Sequence, residues 1–149
     1  MEVKSKRDAV VELVNKLFIY TDTRQWNKLL KDVFKEKVLF DMSSLGSGPA
    51  KELNASEICE MWKKGFEGID HIHHQSGNFI VEFNGETEAV EAKILCYAIA
   101  SHYKESAKKG KVREYVGSYE LHASFTDLGW RLDTFKYNLK YITGNAELN

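Results

Sequence analysis

The side chains of this sequence that could carry acid–base chemistry are five histidines and one aspartate, Asp22. His71, His73 and His74 lie in one short run, and His102 lies apart from them. An imidazole has a pKa of about 6.5, so it can accept or release a proton at neutral pH. A carboxylate that accepts a hydrogen bond from the other ring nitrogen fixes the tautomer and stabilises the imidazolium. Asp22 paired with a histidine would therefore form a general base.

Three of these candidates also have structural interpretations that the spacing leaves open. An aspartate before a helix is a common N-cap, and nothing in the spacing links Asp22 to a distant histidine. His102 extends an apolar strand face that should point into the core, where a lone histidine is usually a structural residue. His122 shares a strand face with serines and a glutamate, which predicts exposure to solvent.

Motifs for metal ions and organic cofactors are missing from the sequence, which has no Gly-rich phosphate loop, nucleophile elbow, CxxC or HExxH. On an extended strand His71 and His73 point to one side and His74 to the other, so the three cannot ligate one metal without distortion. We therefore expect a reaction that needs no cofactor and no metal.

Composition narrows the class of protein further. The chain has 149 residues, 43% of them hydrophobic, and 21 Lys+Arg against 22 Asp+Glu give a net charge of −1. This balance predicts binding neither to nucleic acid nor to a membrane surface. No apolar run is long enough to span a membrane, and the N-terminus does not resemble a signal peptide. Cys59 and Cys96 lie in apolar surroundings, which indicates reduced core residues and a cytoplasmic protein.

Helices are predicted in the first third of the chain. Apolar residues recur at helical spacing over roughly residues 5–21. Asp22 can cap a second, shorter helix that carries Trp26. A third helix begins at Ser56, with Asn54 as the competing N-cap.

Strands are predicted for most of the remainder, because apolar and polar residues alternate there. A short strand covers Val38–Asp41, and four long antiparallel strands follow from His71 onward. Asn84-Gly85 predicts a tight hairpin turn between the first two long strands. In the last strand the alternation switches, which predicts a β-bulge near Asp133-Thr134. Such strands form a strongly curved sheet around the helices, and one face is lined by small residues that leave room for a pocket: Ala92, Ala98 and Ala100.

Four motifs in this order resemble SnoaL-like proteins of the nuclear-transport-factor-two-like superfamily. Residues 17–26 hold an aromatic residue, Asp22, a short turn and Trp26. Residues 74–85 resemble the family's His-x-x-Gly-Asn strand and hairpin. The last two strands carry the other matches, Gly117-Ser118-Tyr119 and Gly129-Trp130-Arg131-Leu132. The resemblance implies one α+β domain over residues 1–149, with a cone-shaped, mostly antiparallel sheet that wraps the N-terminal helices and encloses a pocket.

Within the superfamily the chain looks closest to the branch of scytalone dehydratase, bile-acid dehydratase and hexachlorocyclohexane dehydrochlorinase. In that branch an aspartate on the first helix supports a histidine base. The resemblance places Asp22 and His74 in these two positions, His102 in that of a second active-site histidine, and Tyr20 in that of a tyrosine just before the aspartate.

The direction of the His74 side chain tests whether the family's site residues are correctly assigned to this chain. Simple alternation places His74 opposite the apolar face of Phe79 and Val81, so that His73 would point inward instead. A bulge or twist near Gly77 would return His74 to the pocket, because glycine tolerates such a kink. We expect His74 to face the pocket, with His73 as the alternative.

These arguments predict a cofactor-independent lyase or isomerase, similar to a dehydratase or cyclase, that acts on a hydrophobic cyclic small molecule. His74 would remove a proton from carbon, Asp22 would support it, and His102 would act as an acid or an anchor. Tyrosines could donate a hydrogen bond to the developing negative charge. The residues expected at the substrate are Tyr20, Trp26, Trp62, Phe66, Tyr115 and Tyr119.

The alternative is a non-catalytic small-molecule-binding or accessory domain of the same fold, in which Asp22 only caps a helix. Under either hypothesis the long curved sheet favours self-association, and we expect a homodimer or a homotrimer.

Overall fold

The first helix, α1 (Lys6–Asp22), follows the predicted apolar spacing. The structure is a computed structural model that describes residues 4–149. The Ser5 hydroxyl caps the helix by accepting the backbone N–H of Asp8 at 3.0 Å. The inward face of α1 is buried through the residues of the predicted stripe: Val10, Leu13, Val14, Leu17 and Phe18. The helix ends at Asp22, whose side chain is therefore presented by the last turn.

The segment after α1 is shorter and less regular than predicted. Helix α2 (Trp26–Lys28) passes directly into a π-helical turn over Leu29–Val33, and strand β1 (Phe34–Asp41) begins at once. The predicted strand Val38–Asp41 thus starts four residues early, since Phe34 already pairs with Leu132 of the last strand.

A second short strand precedes the third helix. Strand β2 (Lys51–Asn54) pairs antiparallel with β1 and was not expected, because its four residues are mostly polar and exposed. Helix α3 (Ala55–Gly65) has Asn54 and not Ser56 as its N-cap. The Glu57 carboxylate accepts the backbone N–H of Asn54 at 2.8 Å, which completes a capping box around Asn54.

The four long strands are β3 (His71–Phe83), β4 (Glu91–Tyr103), β5 (Val112–Thr126) and β6 (Gly129–Gly144). They form one six-stranded sheet with β1 and β2 in the order β2-β1-β6-β5-β4-β3. All neighbours are antiparallel except β1 and β6, which are parallel. The mostly antiparallel, α+β architecture is confirmed.

The predicted tight turn at Asn84-Gly85 is wrong. Neither residue has the positive φ that a two-residue type I′ turn requires. Asn84 instead pairs with Glu91 across a longer loop, and its side-chain oxygen accepts the backbone N–H groups of Val90 and Glu91 at 3.0 Å each. The Asn84 side chain thus closes the loop between β3 and β4, where a tight backbone turn was expected.

Two predicted β-bulges are confirmed. In β6, Thr134 pairs with His122 and Leu132 pairs with Ala123, so Asp133 is an extra residue between them. In β3 the register shifts by one residue between Gly77 and Ile80. Asn78 has a φ of 57°, a left-handed conformation that asparagine adopts more readily than most residues. Each bulge reverses which residues of its strand face the core.

The core lies between α1 and the concave face of the curved sheet. Its buried members come from α1, α3, the π-helical turn and most strands, and Cys59 and Cys96 are buried within it as free thiols. Among residues 4–149, no helix combines the length and the apolar character that are needed to cross a membrane.

Candidate active site

The end of α1 meets β3 through two hydrogen bonds between one pair of residues. One carboxylate oxygen of Asp22 lies 2.5 Å from Nδ1 of His74, and the other accepts the backbone N–H of His74 at 2.9 Å. Both side chains are largely buried, with exposed fractions of 14% for Asp22 and 9% for His74. The carboxylate therefore fixes both the tautomer and the orientation of the imidazole.

The bulge at Asn78 decides which histidine points inward. On its N-terminal side Ile72 and His74 face the core, and on its C-terminal side Phe79 and Val81 do so. His73 is exposed, with Nε2 3.3 Å from a side-chain oxygen of Gln75. The structure thus brings His74, and not His73, to Asp22.

The imidazole of His74 stacks on the ring of Phe18, with a centroid distance of 5.0 Å and an interplanar angle of 17°. Since Nδ1 is held by Asp22, Nε2 is the nitrogen available for chemistry. It has no hydrogen-bond partner among residues 4–149. An imidazole held in this way can act as a general base, because its free nitrogen is available to a ligand.

A cavity of about 200 Å³ lies beside His74, between α1, α3 and the concave face of the sheet. Apolar side chains make up most of its wall, and they include Trp62 and Phe66 from α3 and Phe135 from β6. Its polar groups are few: Thr21, His74, His102, Tyr115, Tyr119 and Tyr137. An apolar enclosure with a few convergent polar groups is the usual form of a small-molecule site.

His102 lines the same cavity as a neutral imidazole. The Arg113 guanidinium donates a hydrogen bond from Nε to Nδ1 of His102 at 2.9 Å, so the ring proton lies on Nε2. Burial, with the Arg113 charge and the nearby His74 as smaller causes, lowers the pKa of His102 from 6.5 to about 3. This chemistry suits a neutral hydrogen-bond donor and not an imidazolium acid. Sequence reasoning missed Arg113, although its place opposite His102 follows from the register of β4 and β5.

Three tyrosines supply the phenolic hydroxyl groups of the cavity. Burial raises the pKa of Tyr119, and burial together with the neighbouring Tyr115 raises the pKa of Tyr137 to about 12. Both hydroxyls therefore stay protonated at neutral pH. Tyr119 packs edge-on against Phe18 at 5.0 Å, which places it one ring away from His74.

Two of the residues expected at the substrate do not line this cavity. On α1, Thr21 and Leu17 face it, whereas Tyr20 lies on another side of the helix, with the ammonium group of Lys28 5.4 Å from its ring centre. Trp26 packs against the core, and its carbonyl oxygen lies 4.0 Å from the Cys59 sulfur. Aromatic character alone did not distinguish core packing from cavity lining. Trp62, Phe66, Tyr115 and Tyr119 do line the cavity.

A second histidine–aspartate contact lies outside the cavity. Nδ1 of His122 is 2.6 Å from a carboxylate oxygen of Asp133, and the Ser124 hydroxyl donates to the other oxygen. The expectation that His122 is solvated holds only in part, because 25% of its side chain is exposed and its ring contacts Asp133. The bulge in β6 places Asp133 against His122.

A larger depression, about 630 Å³, is an open groove near Lys31, Asn54 and Arg131. It contains none of the histidines or tyrosines of the site. We therefore place the candidate site in the smaller, apolar cavity. Among residues 4–149 no three His, Cys, Asp or Glu side chains are grouped so that they could hold a metal ion.

The comparisons with known proteins agree with this architecture. The sequence profile of the SnoaL-like domain family matches residues 3–136. No curated protein matches the chain in sequence.

Solved structures with the same fold include the Kfla4162 protein from Kribbella flavida, which is 23% identical, with a TM-score of 0.87 and coverage of 95% of both chains. A scytalone dehydratase-like protein from Novosphingobium aromaticivorans is 14% identical, with a TM-score of 0.78 over 94% of this chain and 87% of that one. The type 3 hexachlorocyclohexane dehydrochlorinase from Novosphingobium barchaimii is 14% identical, with a TM-score of 0.73 over 94% and 90%. At these identities the likeness shows a shared fold.

Proposed function

The chain belongs to the SnoaL-like domain family, and we propose that it is a cofactor-independent lyase or isomerase that acts on a hydrophobic cyclic small molecule. The observation that carries this proposal is the contact between Asp22 and His74 at the wall of an apolar cavity. Two structures of the same fold, named a scytalone dehydratase-like protein and a dehydrochlorinase, support a lyase reaction.

In the proposed reaction, Nε2 of His74 removes a proton from a carbon next to a carbonyl or a leaving group. The electron pair of the broken C–H bond forms a carbon–carbon double bond. In an elimination the leaving group departs with its bonding pair, and in an enolisation the carbonyl π pair moves to oxygen. The proton remains on His74 until it returns to the product or to water. Asp22 accepts the Nδ1–H hydrogen bond throughout and stabilises the imidazolium.

The other polar groups of the cavity would hold the substrate in place. His102 offers a neutral Nε2–H, because Arg113 occupies its Nδ1. Trp62, Phe66 and Phe135 supply apolar walls that exclude water. Charge that develops in such an enclosure interacts strongly with nearby donors, since little water is present to screen it.

Deuterium exchange tests the proposed base without knowledge of the natural substrate. 1-Indanone is a compact cyclic ketone whose C2 hydrogens lie next to the carbonyl. We expect the protein in D2O to catalyse their exchange for deuterium, followed by proton NMR, and His74→Ala to abolish this catalysis. His73→Ala is the matched control, because His73 is adjacent in sequence and exposed. Catalysed exchange by His74→Ala at the wild-type rate would contradict the assignment.

A binding or accessory domain is the second candidate, and one contact favours it. Asp22 also accepts the backbone N–H of His74, a bond that ties α1 to β3 whether or not a reaction occurs. A protein that binds 1-indanone without exchanging its hydrogens would support this second function.

We also propose that the chain forms a homodimer or a homotrimer through the outer face of the sheet. Large apolar side chains are exposed there, among them Tyr97, Ile99 and Tyr141. Light scattering coupled to size-exclusion chromatography distinguishes the two assemblies from a monomer.

A further inference from the structure

Tyr137 carries a hydroxyl group that has no hydrogen-bond partner in the described part of the chain. Within residues 4–149, it is the one buried side-chain polar atom without a hydrogen bond. The residue is only 4% exposed and lines the cavity that contains His74. Burying an unpaired hydroxyl is unfavourable, so its presence calls for a partner that is not part of the protein.

The backbone of β5 is shaped to accept this ring. A Cβ atom at Gly117 would lie 2.6 Å from the Tyr137 hydroxyl and 2.8 Å from Cζ. Only a residue without a side chain leaves this space open, so the tyrosine ring lies across the backbone of the neighbouring strand. The hydroxyl position is thus fixed by the close approach of two strands and not by a hydrogen bond.

The charges around the cavity indicate what the hydroxyl would bind. The guanidinium of Arg113 is engaged with His102, and Asp22 places a carboxylate behind His74. A ligand with its own negative charge would be repelled by that carboxylate. A neutral ligand with an oxygen acceptor would meet protonated hydroxyls, because burial raises the pKa of Tyr137 to about 12.

We propose that Tyr137 binds the carbonyl oxygen of the substrate, and that the site takes neutral cyclic ketones in preference to hydrocarbons or carboxylates. The inference rests on the proposed function for the location of the ligand. When His74 removes the proton next to the carbonyl, the C–H electron pair forms a carbon–carbon double bond and the carbonyl π pair moves to oxygen. Tyr137 donates a hydrogen bond to that oxygen and keeps its own proton.

The test compares 1-indanone with indane, which has the same ring skeleton but no oxygen. Dissociation constants for both are measured by ligand-observed NMR on the wild-type protein, Tyr137→Phe and Tyr141→Phe. We expect Tyr137→Phe to reduce the preference for the ketone about threefold to tenfold, the usual range for one neutral hydrogen bond. Tyr141→Phe is the matched control, since Tyr141 lies on the same strand and is 56% exposed.

An unchanged preference in Tyr137→Phe would overturn the assignment, and so would failure of the wild-type protein to bind the ketone. A fall in thermal stability with an unchanged preference would identify the hydroxyl as structural. The proposed catalysis is judged separately, because His74→Ala should lose deuterium exchange while it keeps the preference for the ketone. If the wild-type protein prefers the ketone but does not catalyse deuterium exchange, the assignment of Tyr137 stands and the proposed role of His74 as a base is rejected.

Discussion

The carboxylate of Asp22 holds His74 at two points, its Nδ1 and its backbone N–H. One of these bonds orients the imidazole and the other ties the end of α1 to β3. The two contributions can be separated, because an amide oxygen can replace one acceptor but cannot stabilise an imidazolium by charge.

We predict that Asp22→Asn lowers the rate of deuterium exchange about a hundredfold to ten-thousandfold, the usual contribution of general acid–base catalysis. The amide still accepts the backbone N–H of His74, so thermal stability should change little. Asp22→Ala should lose both activity and stability. An Asp22→Asn protein with wild-type exchange would show that the carboxylate has no part in the reaction.

The second prediction concerns the pH dependence of stability. His102 has a pKa of about 3 in the folded protein and about 6.5 when unfolded. Between these values the unfolded state binds more protons, so the free energy of unfolding falls as the pH falls from 6.5 toward 3. The slope from this one residue is at most about 1.4 kcal/mol per pH unit.

His102→Gln should remove that part of the slope, since glutamine can accept from Arg113 but does not titrate. Thermal denaturation between pH 4 and pH 7.5 measures the effect, with His73→Gln as the exposed control. Parallel curves for wild type and His102→Gln would show that His102 titrates normally in the folded protein.

The third prediction is that Tyr137→Phe stabilises the protein. The substitution removes a buried hydroxyl that has no partner among residues 4–149, so the free energy of unfolding should rise by about 1 kcal/mol. Urea denaturation gives the value, and Tyr141→Phe should show no change. Destabilisation by a similar amount would mean that the hydroxyl has a partner within the folded protein.

The fourth prediction tests the bulge that turns His74 inward. Asn78 has a φ of 57°, which a β-branched side chain tolerates poorly. Asn78→Val should therefore destabilise the protein by about 1–2 kcal/mol and reduce exchange, because the direction of His74 depends on the bulge. Asn78→Gly is the control and should be at least as stable as wild type. Equal stability of the valine and glycine variants would contradict this account.

Much of the fold followed from local pattern. The apolar stripe of α1 and the alternation in the long strands gave the helix, the strands and the bulge at Asp133. Strand β2 was missed because four mostly polar residues have no alternation to detect, and its position depends on pairing with β1. The loop at Asn84 was misjudged because a side-chain hydrogen bond, and not the backbone conformation of Gly85, closes it.

The residues of the candidate site were harder to predict from the sequence pattern alone. Spacing could not join Asp22 to His74, and only the resemblance to a family suggested that pair. The positions of Tyr20 and Trp26 depend on how α1 and α2 rotate against the sheet, which residue type does not reveal. Tyr137 lies on the same inward strand face as Phe135. The sequence does not reveal that its hydroxyl is unpaired, because this depends on how closely the ring approaches Gly117 of the neighbouring strand.

The bulge in β3 bears on how related chains should be aligned. Asn78 is a supernumerary residue, because removing it would let Gly77 and Phe79 continue one regular strand with His74 still facing inward. With the bulge, the next apolar residue that faces inward lies an odd number of positions after the histidine; without the bulge, that number is even. A sequence search for related chains should therefore allow both spacings between the histidine and the next inward apolar residue. A fixed spacing would miss chains that carry the same histidine on a strand without the bulge.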